Sequence, residues 1–128
     1  MAQRPLNAAI LNAALSGLCA VSHRTMKEVM SFPGTRDIVV GIIDESIQVA
    51  KKENIEIRDG FRDNGISYLK NAGHHKPSML IDIENGVRTE VDQLNGKIVE
   101  YGKKHGIKTP LNQVVTSLIH LQETKENE

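Results

Sequence analysis

The chain has 128 residues, 39% of them apolar, which is enough for one domain that buries roughly two thirds of its unfolded surface. Sixteen basic and sixteen acidic residues cancel, so the sequence lacks the broad positive charge typical of proteins that bind nucleic acids or acidic membranes. Cys19 is the only cysteine, which excludes an intramolecular disulfide and a thiolate zinc cluster and favours a reducing, cytoplasmic location.

The first apolar run, from residue 6 to residue 21, predicts a buried helix and not a targeting segment. Asn7 and Asn12 interrupt the run, and Arg4 is the only positive charge before it, which is unlike a secretory signal. The run is also shorter than the roughly 20 apolar residues that a membrane-spanning helix needs. Pro5 fits the first turn of this helix, where its missing N–H is not needed.

Two further helices are predicted from capping and periodicity. Thr25 and Glu28 have the spacing of a capping box, and Thr35 can cap the run that follows it. Apolar residues then recur every three or four positions, which predicts a central helix that ends near Asn54. This stripe consists of Ile38, Val39, Ile42, Ile43, Ile47, Val49 and Ala50.

The middle of the chain predicts a short or bent helix within residues 59–72, because Gly60 and Gly65 each cost about 1 kcal/mol relative to alanine. A segment with glycine and proline then breaks the chain. Ser78 follows this break, and its side chain can cap a turn of helix over residues 79–84.

The last third of the chain predicts two helices. Apolar residues three or four apart indicate a helix from Thr89, and Gly106 followed by Ile107 is typical of a Schellman stop. Thr109 and Pro110 then begin the last helix as cap and first residue. We expect five apolar residues on the buried side of this helix: Leu111, Val114, Val115, Leu118 and Leu121.

Together these elements predict an all-α protein, a compact helical bundle. Residues 1–122 form its single helical domain, and residues 123–128 form a polar tail. Aromatic residues are few, and no long stretch alternates apolar and polar residues, so the signal for a sheet is weak.

The sequence excludes several kinds of site. No two glycines are separated by a single residue, so the dinucleotide fingerprint is absent, and no Rossmann domain is predicted within the chain. We therefore expect the chain alone to bind no NAD(P). The adjacent histidines His74 and His75 lack the spacing of a metal site, and no serine lies in a nucleophile elbow.

Ser78 and Glu90 are candidate binding residues. A hydroxyl at a helix start lies beside free backbone amides, where a substrate carboxylate could bind. The alternative is that Ser78 only caps its own helix and that Glu90 only complements the dipole of the next helix. Position alone leaves both explanations open.

The segment from Ser78 to Gly96 resembles the C-terminal motif of ketopantoate reductases. It reads Ser-Met-Leu-x-Asp, five further residues, and Arg-Thr-Glu-Val-Asp-x-Leu-Asn-Gly. The segment from Gly106 to Asn112 matches the usual continuation, and the resemblance is strongest over residues 76–121. It implies the helical C-terminal fold of ketopantoate reductases and of 6-phosphogluconate dehydrogenase-like proteins.

In that family a Rossmann domain holds NADPH, and the helical domain supplies most groups that bind 2-dehydropantoate for its reduction to pantoate. The resemblance implies that Ser78 binds the substrate carboxylate. It implies that Glu90 acts in catalysis and cofactor binding, by orienting an active-site lysine and contacting the cofactor ribose. The family's lysine and two asparagines, four residues apart, correspond here to Arg4, Ala8 and Asn12, which makes Asn12 a substrate-binding candidate. Arg4 could stabilise negative charge as a catalytic residue, but an arginine guanidinium stays protonated and is therefore a poor proton donor.

The expected function is that of the substrate-binding part of a ketopantoate-reductase-like enzyme. We expect no activity without a Rossmann domain in cis or in trans, which would bring the NADP(H). Homodimerisation is also expected, because a missing domain leaves apolar surface that promotes association. The alternative is a non-catalytic helical module for dimerisation or docking. Neither nucleic acid nor membrane is an expected partner.

Overall fold

Helices make up most of the part of the chain that the computed structural model describes, residues 3–124, with side chains from residue 9 onward. No strand occurs in this part, which confirms the predicted all-α fold. The elements are α1 (Gln3–Ser22), α2 (Met26–Ser31), α3 (Pro33–Lys52), α4 (Phe61–Lys70), α5 (Ser78–Glu84), a 3-10 turn (Val91–Gln93), α6 (Asn95–His105) and α7 (Pro110–Glu123).

Helix α1 is the centre of the fold, because every residue from 13 to 20 is buried and all six other helices contact it. Small residues allow this close packing. A Cβ atom on Gly17 would lie 2.7 Å from Val115 Cγ1, so α7 packs directly on the α1 backbone. Among the described helices, α1 included, none combines the length and apolarity that crossing a bilayer demands.

The starts of α2 and α3 test two predicted caps. The capping box is confirmed: Glu28 N donates to Thr25 Oγ1 (3.2 Å), and Thr25 N donates to Glu28 Oε1 (2.9 Å). The prediction that Thr35 caps α3 is wrong, because α3 already begins at Pro33, whose fixed φ suits a first helical position. The Thr35 hydroxyl instead donates to the Val29 carbonyl at 2.6 Å and ties α3 to α2.

Residues in the left-handed region separate α3 from α4. Asn54 has φ 61°, and α3 ends two residues before it, slightly earlier than predicted. Gly60, with φ 82°, directly precedes α4, which confirms the short helix predicted there. Gly65 lies inside α4, where the helix packs closely on α1. A Cβ atom at this position would lie 2.6 Å from Leu11 Cδ2 of α1.

The single helix predicted from Thr89 is divided in two. The 3-10 turn comes first, and α6 starts only after Leu94, whose angles (φ −112°, ψ −96°) are not helical. The predicted stop of α6 is confirmed. Gly106 has φ 69°, and the N–H of Ile107 donates to the Gly102 carbonyl at 2.8 Å.

The buried face of α7 differs from the predicted one. The helix is turned so that Asn112, Val115 and Ile119 face the core. Of the five apolar residues expected inside, only Val115 is fully buried. The outer face of α7 carries three of the others, which are Val114 (54% exposed), Leu118 (39%) and Leu121 (67%).

A buried polar network explains this rotation of α7. Thr109 forms no side-chain cap. Glu45 of α3 takes that role, because its carboxylate accepts from Leu111 N (2.8 Å) and Asn112 N (3.1 Å). The Asn112 side chain then donates to Glu45 Oε1 (2.9 Å) and accepts from Asn95 Nδ2 (3.0 Å). Both asparagines are fully buried, so the network fixes which face of α7 points inward.

Candidate functional site

A small cleft brings together three of the candidate residues named from the sequence: Asn12 of α1, Ser78 of α5 and Glu90 before the 3-10 turn. The cleft is small, with a cavity volume of about 10 Å³, which is room for about one water-sized group. All three side chains are exposed to solvent. The cleft is also lined by Ser16, Met79, Asp82 and Leu94.

Helix α1 contributes two polar groups to the cleft. Asn12 and Ser16 are four residues apart and therefore lie on the same face of the helix. The Ser16 hydroxyl donates to Asn12 Oδ1 at 2.5 Å, which orients the carboxamide and leaves its Nδ2 as a donor for a ligand. Ser16 is buried, and sequence reasoning missed it, although its i+4 spacing from Asn12 was a usable signal.

Helix α5 contributes Ser78 and Asp82. Ser78 is the first helical residue, while Pro77 occupies the cap position, and no side-chain capping bond forms. The alternative explanation of Ser78, that its hydroxyl caps its own helix, is therefore wrong. Asp82 lies one turn further on, so that a hydroxyl and a carboxylate of the same short helix face the same cleft.

The segment that carries Glu90 is fixed from α7. The Glu123 carboxylate accepts from both Thr89 N and Thr89 Oγ1 at 2.7 Å. Thr89 Oγ1 in turn accepts from Val91 N at 3.2 Å, and Val91 is 1% exposed. The residues on both sides of Glu90 are thus held in place. The polar tail was predicted to start at residue 123, whereas α7 continues through Glu123 and uses it in this contact.

A second contact holds the same segment. His120 Nε2 lies 2.7 Å from Asp92 Oδ1, so the last turns of α7 bind the chain on either side of Glu90. Glu90 does not act as a first-turn acid of an α-helix, because the helix predicted from Thr89 begins later, after Leu94. The explanation that Glu90 only complements the dipole of an α-helix is therefore not supported.

The chemistry of the cleft is that of an incomplete site. Its hydroxyl and carboxamide groups can donate hydrogen bonds, whereas Asp82 and Glu90 are acids. No cation is found among the described residues that line the cleft. Arg4, the sequence-predicted cationic residue, belongs to the first turn of α1, and its side chain lies outside the described ones. A bound anion would require a cation from Arg4 or from another polypeptide segment.

Cys19 and His74 carry reactive groups but do not line the cleft. Burial, with a smaller contribution from the charge of Glu28, raises the pKa of the Cys19 thiol to about 12, so the sulfur stays protonated. His74 Nδ1 lies 3.0 Å from Thr25 Oγ1, at the start of α2. In the range of side chains that the structure covers, no three His, Cys, Asp or Glu are grouped as metal ligands.

Sequence comparisons identify related proteins. A sequence profile for the C-terminal domain of ketopantoate reductases (PanE/ApbA) matches residues 2–123. The 2-dehydropantoate 2-reductase of Aquifex aeolicus is 34% identical over 119 residues, which cover 89% of this chain and 38% of that protein. The chain therefore spans less than half of the length of this curated relative.

Solved structures share the fold. A ketopantoate reductase of Ralstonia eutropha superimposes with a TM-score of 0.89 at 27% identity, covering 96% of this chain and 41% of that one. A D-mandelate dehydrogenase in complex with NADH and anilino(oxo)acetate superimposes with a TM-score of 0.83 at 32% identity. That match covers 92% of this chain and 40% of the dehydrogenase.

Proposed function

The chain belongs to the family of ketopantoate reductase C-terminal domains, and from this premise we propose that it forms the substrate-binding part of an NADPH-dependent reductase of 2-dehydropantoate or a similar 2-keto acid. The observation that carries the proposal is the shared cleft of Asn12, Ser78 and Glu90. These residues come from three separate parts of the chain, and each leaves polar atoms facing solvent.

Each cleft residue has a role in this proposal. The Ser78 hydroxyl donates to the substrate carboxylate, and Asn12 Nδ2 donates to an oxygen of the reacting end. Glu90 orients the basic side chain at position 4 and contacts the cofactor ribose. Arg4 stabilises the negative charge that develops on the ketone oxygen when a hydride is added, and the resulting alkoxide takes its proton from water because arginine is a poor proton donor.

The remaining parts of the site come from a cofactor domain in cis or in trans. Asp82 and Glu90 would repel an anionic keto acid, and no Lys or Arg among the described cleft residues offsets their charge. The chain alone should therefore bind such a substrate weakly. NADPH supplies the hydride when bound to that second domain. The single buried cysteine, which stays a thiol, supports a cytoplasmic location.

A chimera tests the proposal. The part of the A. aeolicus reductase that lies outside the matched region would be joined to this chain, and NADPH oxidation would be measured with 2-dehydropantoate. We expect Ser78→Ala to lower kcat/KM about 10- to 100-fold, because a substrate group loses its partner. We expect Glu90→Gln to lower kcat about 100-fold.

The matched control is Ser117→Ala. Ser117 is an exposed serine of α7 and does not line the cleft, so its replacement should leave the kinetics unchanged. Equal kcat/KM values for the Ser78 and Ser117 variants would contradict the proposed function.

We also infer that the chain forms a homodimer through the outer face of α7. Val114, Leu118 and Leu121 are spaced three or four residues apart and form an exposed apolar stripe on this helix. Sedimentation at several concentrations should show a dimer, and the double variant Leu118→Glu with Leu121→Glu should be monomeric. A monomer at every concentration for the unmodified chain would contradict the dimer.

A further inference from the structure

Ser16 makes an unusual contact for a hydroxyl inside a helix. A serine or threonine within a helix commonly donates to the backbone carbonyl four residues earlier. The hydroxyls of Ser46 and Thr116 bond in this way, at 2.7 and 2.8 Å. The Ser16 hydroxyl donates instead to a side-chain atom four residues earlier, Asn12 Oδ1, at 2.5 Å. The backbone carbonyl would satisfy a buried hydroxyl equally well, so the bond to the side chain has another cause, which lies in the cleft.

The geometry of this bond determines which atom of the Asn12 carboxamide faces a ligand. A hydrogen bond between two oxygen atoms is about 2.5 to 3.0 Å long, whereas one from N–H to oxygen is about 2.7 to 3.2 Å long. The 2.5 Å contact therefore fits Oδ1, and not Nδ2, beside the Ser16 hydroxyl. Ser16 is only 4% exposed, whereas Asn12 is exposed, so Nδ2 remains on the side that a ligand can reach.

The orientation of this carboxamide changes what the cleft offers to a ligand. The Ser78 hydroxyl can donate or accept, whereas the carboxylates of Asp82 and Glu90 only accept. With Nδ2 towards the ligand, Asn12 adds a donor, whereas with Oδ1 there it would add a further acceptor. A ketone oxygen accepts hydrogen bonds only, but a hydroxyl both donates and accepts. A fixed Nδ2 therefore favours a ketone, and a carboxamide that is free to turn would serve a hydroxyl equally well.

We propose that Ser16 is a positioning residue that holds Asn12 as a hydrogen-bond donor and thereby makes the site prefer a 2-keto acid over the matching 2-hydroxy acid. This inference rests on the proposed function, because Asn12 bonds to the reacting end only if the acid binds in the cleft. Ser16 acts through Asn12, since its hydroxyl proton is already engaged with Oδ1. Donation to Oδ1 also polarises the carboxamide, which makes Nδ2 a stronger donor.

The test measures the binding of 2-dehydropantoate and pantoate to the full chain, labelled with ¹⁵N. These two acids differ only at the ketone, which is a hydroxyl in pantoate. Dissociation constants come from the shifts of the Ser78 and Asp82 backbone amides, which detect weak binding as well. We expect Ser16→Ala to weaken 2-dehydropantoate binding about 3- to 10-fold, because the site loses one oriented hydrogen bond. Pantoate binding should weaken less than about twofold, because the freed carboxamide accepts from its hydroxyl.

The side-chain amide signals of Asn12 test the orientation itself, without any ligand. In the unmodified chain these signals should differ from those of Asn64, an exposed asparagine that does not line the cleft. Ser16→Ala should move them towards the Asn64 signals, because the carboxamide then turns freely. Ser16→Cys keeps a similar volume and a weak donor, so its signals should lie between these two positions. This conservative variant also carries the test if Ser16→Ala does not fold.

Two controls separate positioning from packing. Ser46 is a buried helical serine whose hydroxyl bonds to a backbone carbonyl, so Ser46→Ala should leave the ratio of the two dissociation constants unchanged. Asn12→Ala removes the group through which Ser16 acts. In that background, Ser16→Ala should therefore cause no further loss of 2-dehydropantoate binding. A loss as large as in the unmodified chain would contradict the inference.

The remaining outcomes separate this inference from the proposed function. If Ser16→Ala weakens the binding of both acids to the same extent, or leaves the Asn12 signals in place, Ser16 does not set the preference and the cleft remains the binding site. If neither acid shifts the amides of Ser78 and Asp82 in the unmodified chain, the inference and the proposed function are both overturned.

Discussion

Glu123, the last residue of α7, should contribute to stability far more than its place near the end of the sequence suggests. Its carboxylate accepts two hydrogen bonds from Thr89, both 2.7 Å long. Thr89 is only 9% exposed, so Glu123→Ala would leave its N–H and hydroxyl without these partners in a largely buried position. A lost bond of this kind costs about 1 to 3 kcal/mol.

The expected loss in the free energy of unfolding is about 2 kcal/mol, since Glu123 is itself half-buried and water replaces part of the interaction. For a domain of this size that corresponds to a decrease in Tm of roughly 6 to 10 °C. Glu123→Gln keeps a neutral acceptor and should cost about half as much. Urea unfolding gives the free energies, and hydrogen exchange of the Thr89 and Val91 amides reports on the segment that carries Glu90.

The control is Glu100→Ala. Glu100 forms an exposed pair with Lys97 at 3.4 Å, and such pairs contribute about 0 to 1 kcal/mol. The reasoning would be refuted if Glu123→Ala and Glu100→Ala had equal stability, or if exchange at Thr89 stayed unchanged in the Glu123 variant.

Three further predictions concern other parts of the chain. Glu45→Ala should lower the free energy of unfolding by about 2 to 4 kcal/mol in urea titrations, because α7 loses its cap and Asn112 loses a buried hydrogen-bond partner. A loss below about 0.5 kcal/mol would count against the polar network around Asn112. Hydrogen bonds, first from Arg24 and to a smaller extent from Thr25, lower the pKa of Glu28 from 4.5 to about 2. The contribution of ionised Glu28 to the stability of the fold is therefore present above pH 4.5 and lost as the pH falls towards 2. Glu28→Gln should remove this dependence in acid unfolding curves, and an unchanged curve would exclude the contribution. In the chimera, Arg4→Lys should raise kcat about 100-fold by restoring a proton donor, and no increase would show that residue 4 does not act on the ketone oxygen.

The helical fold could be predicted because capping and periodicity are local signals. The capping box at Thr25 and the stop at Gly106 are confirmed for this reason. The face of α7 could not be predicted in the same way. Counting apolar residues places Val114 and Leu118 inside, whereas the buried Asn112, bonded to a carboxylate 67 positions away, turns the helix.

The candidate site was predictable only in part. Ser78 and Glu90 stand at a spacing that the motif makes visible, and Asn12 was named from the resemblance to the family's pattern on the first helix. Ser16 was missed because it lies within an apolar run, although it follows Asn12 by one helical turn and bonds to it. Glu123 was hidden because a glutamate in a polar end segment carries no signal of the contact that it makes 34 positions away.

A crystal structure of the chimera with NADP⁺ and pantoate would test the central claim most directly. The account predicts the pantoate carboxylate within hydrogen-bond distance of Ser78 Oγ, with Asn12 and Glu90 lining the same site and the nicotinamide facing it. Pantoate bound at another surface, with the cleft between α1 and α5 left empty, would contradict the account.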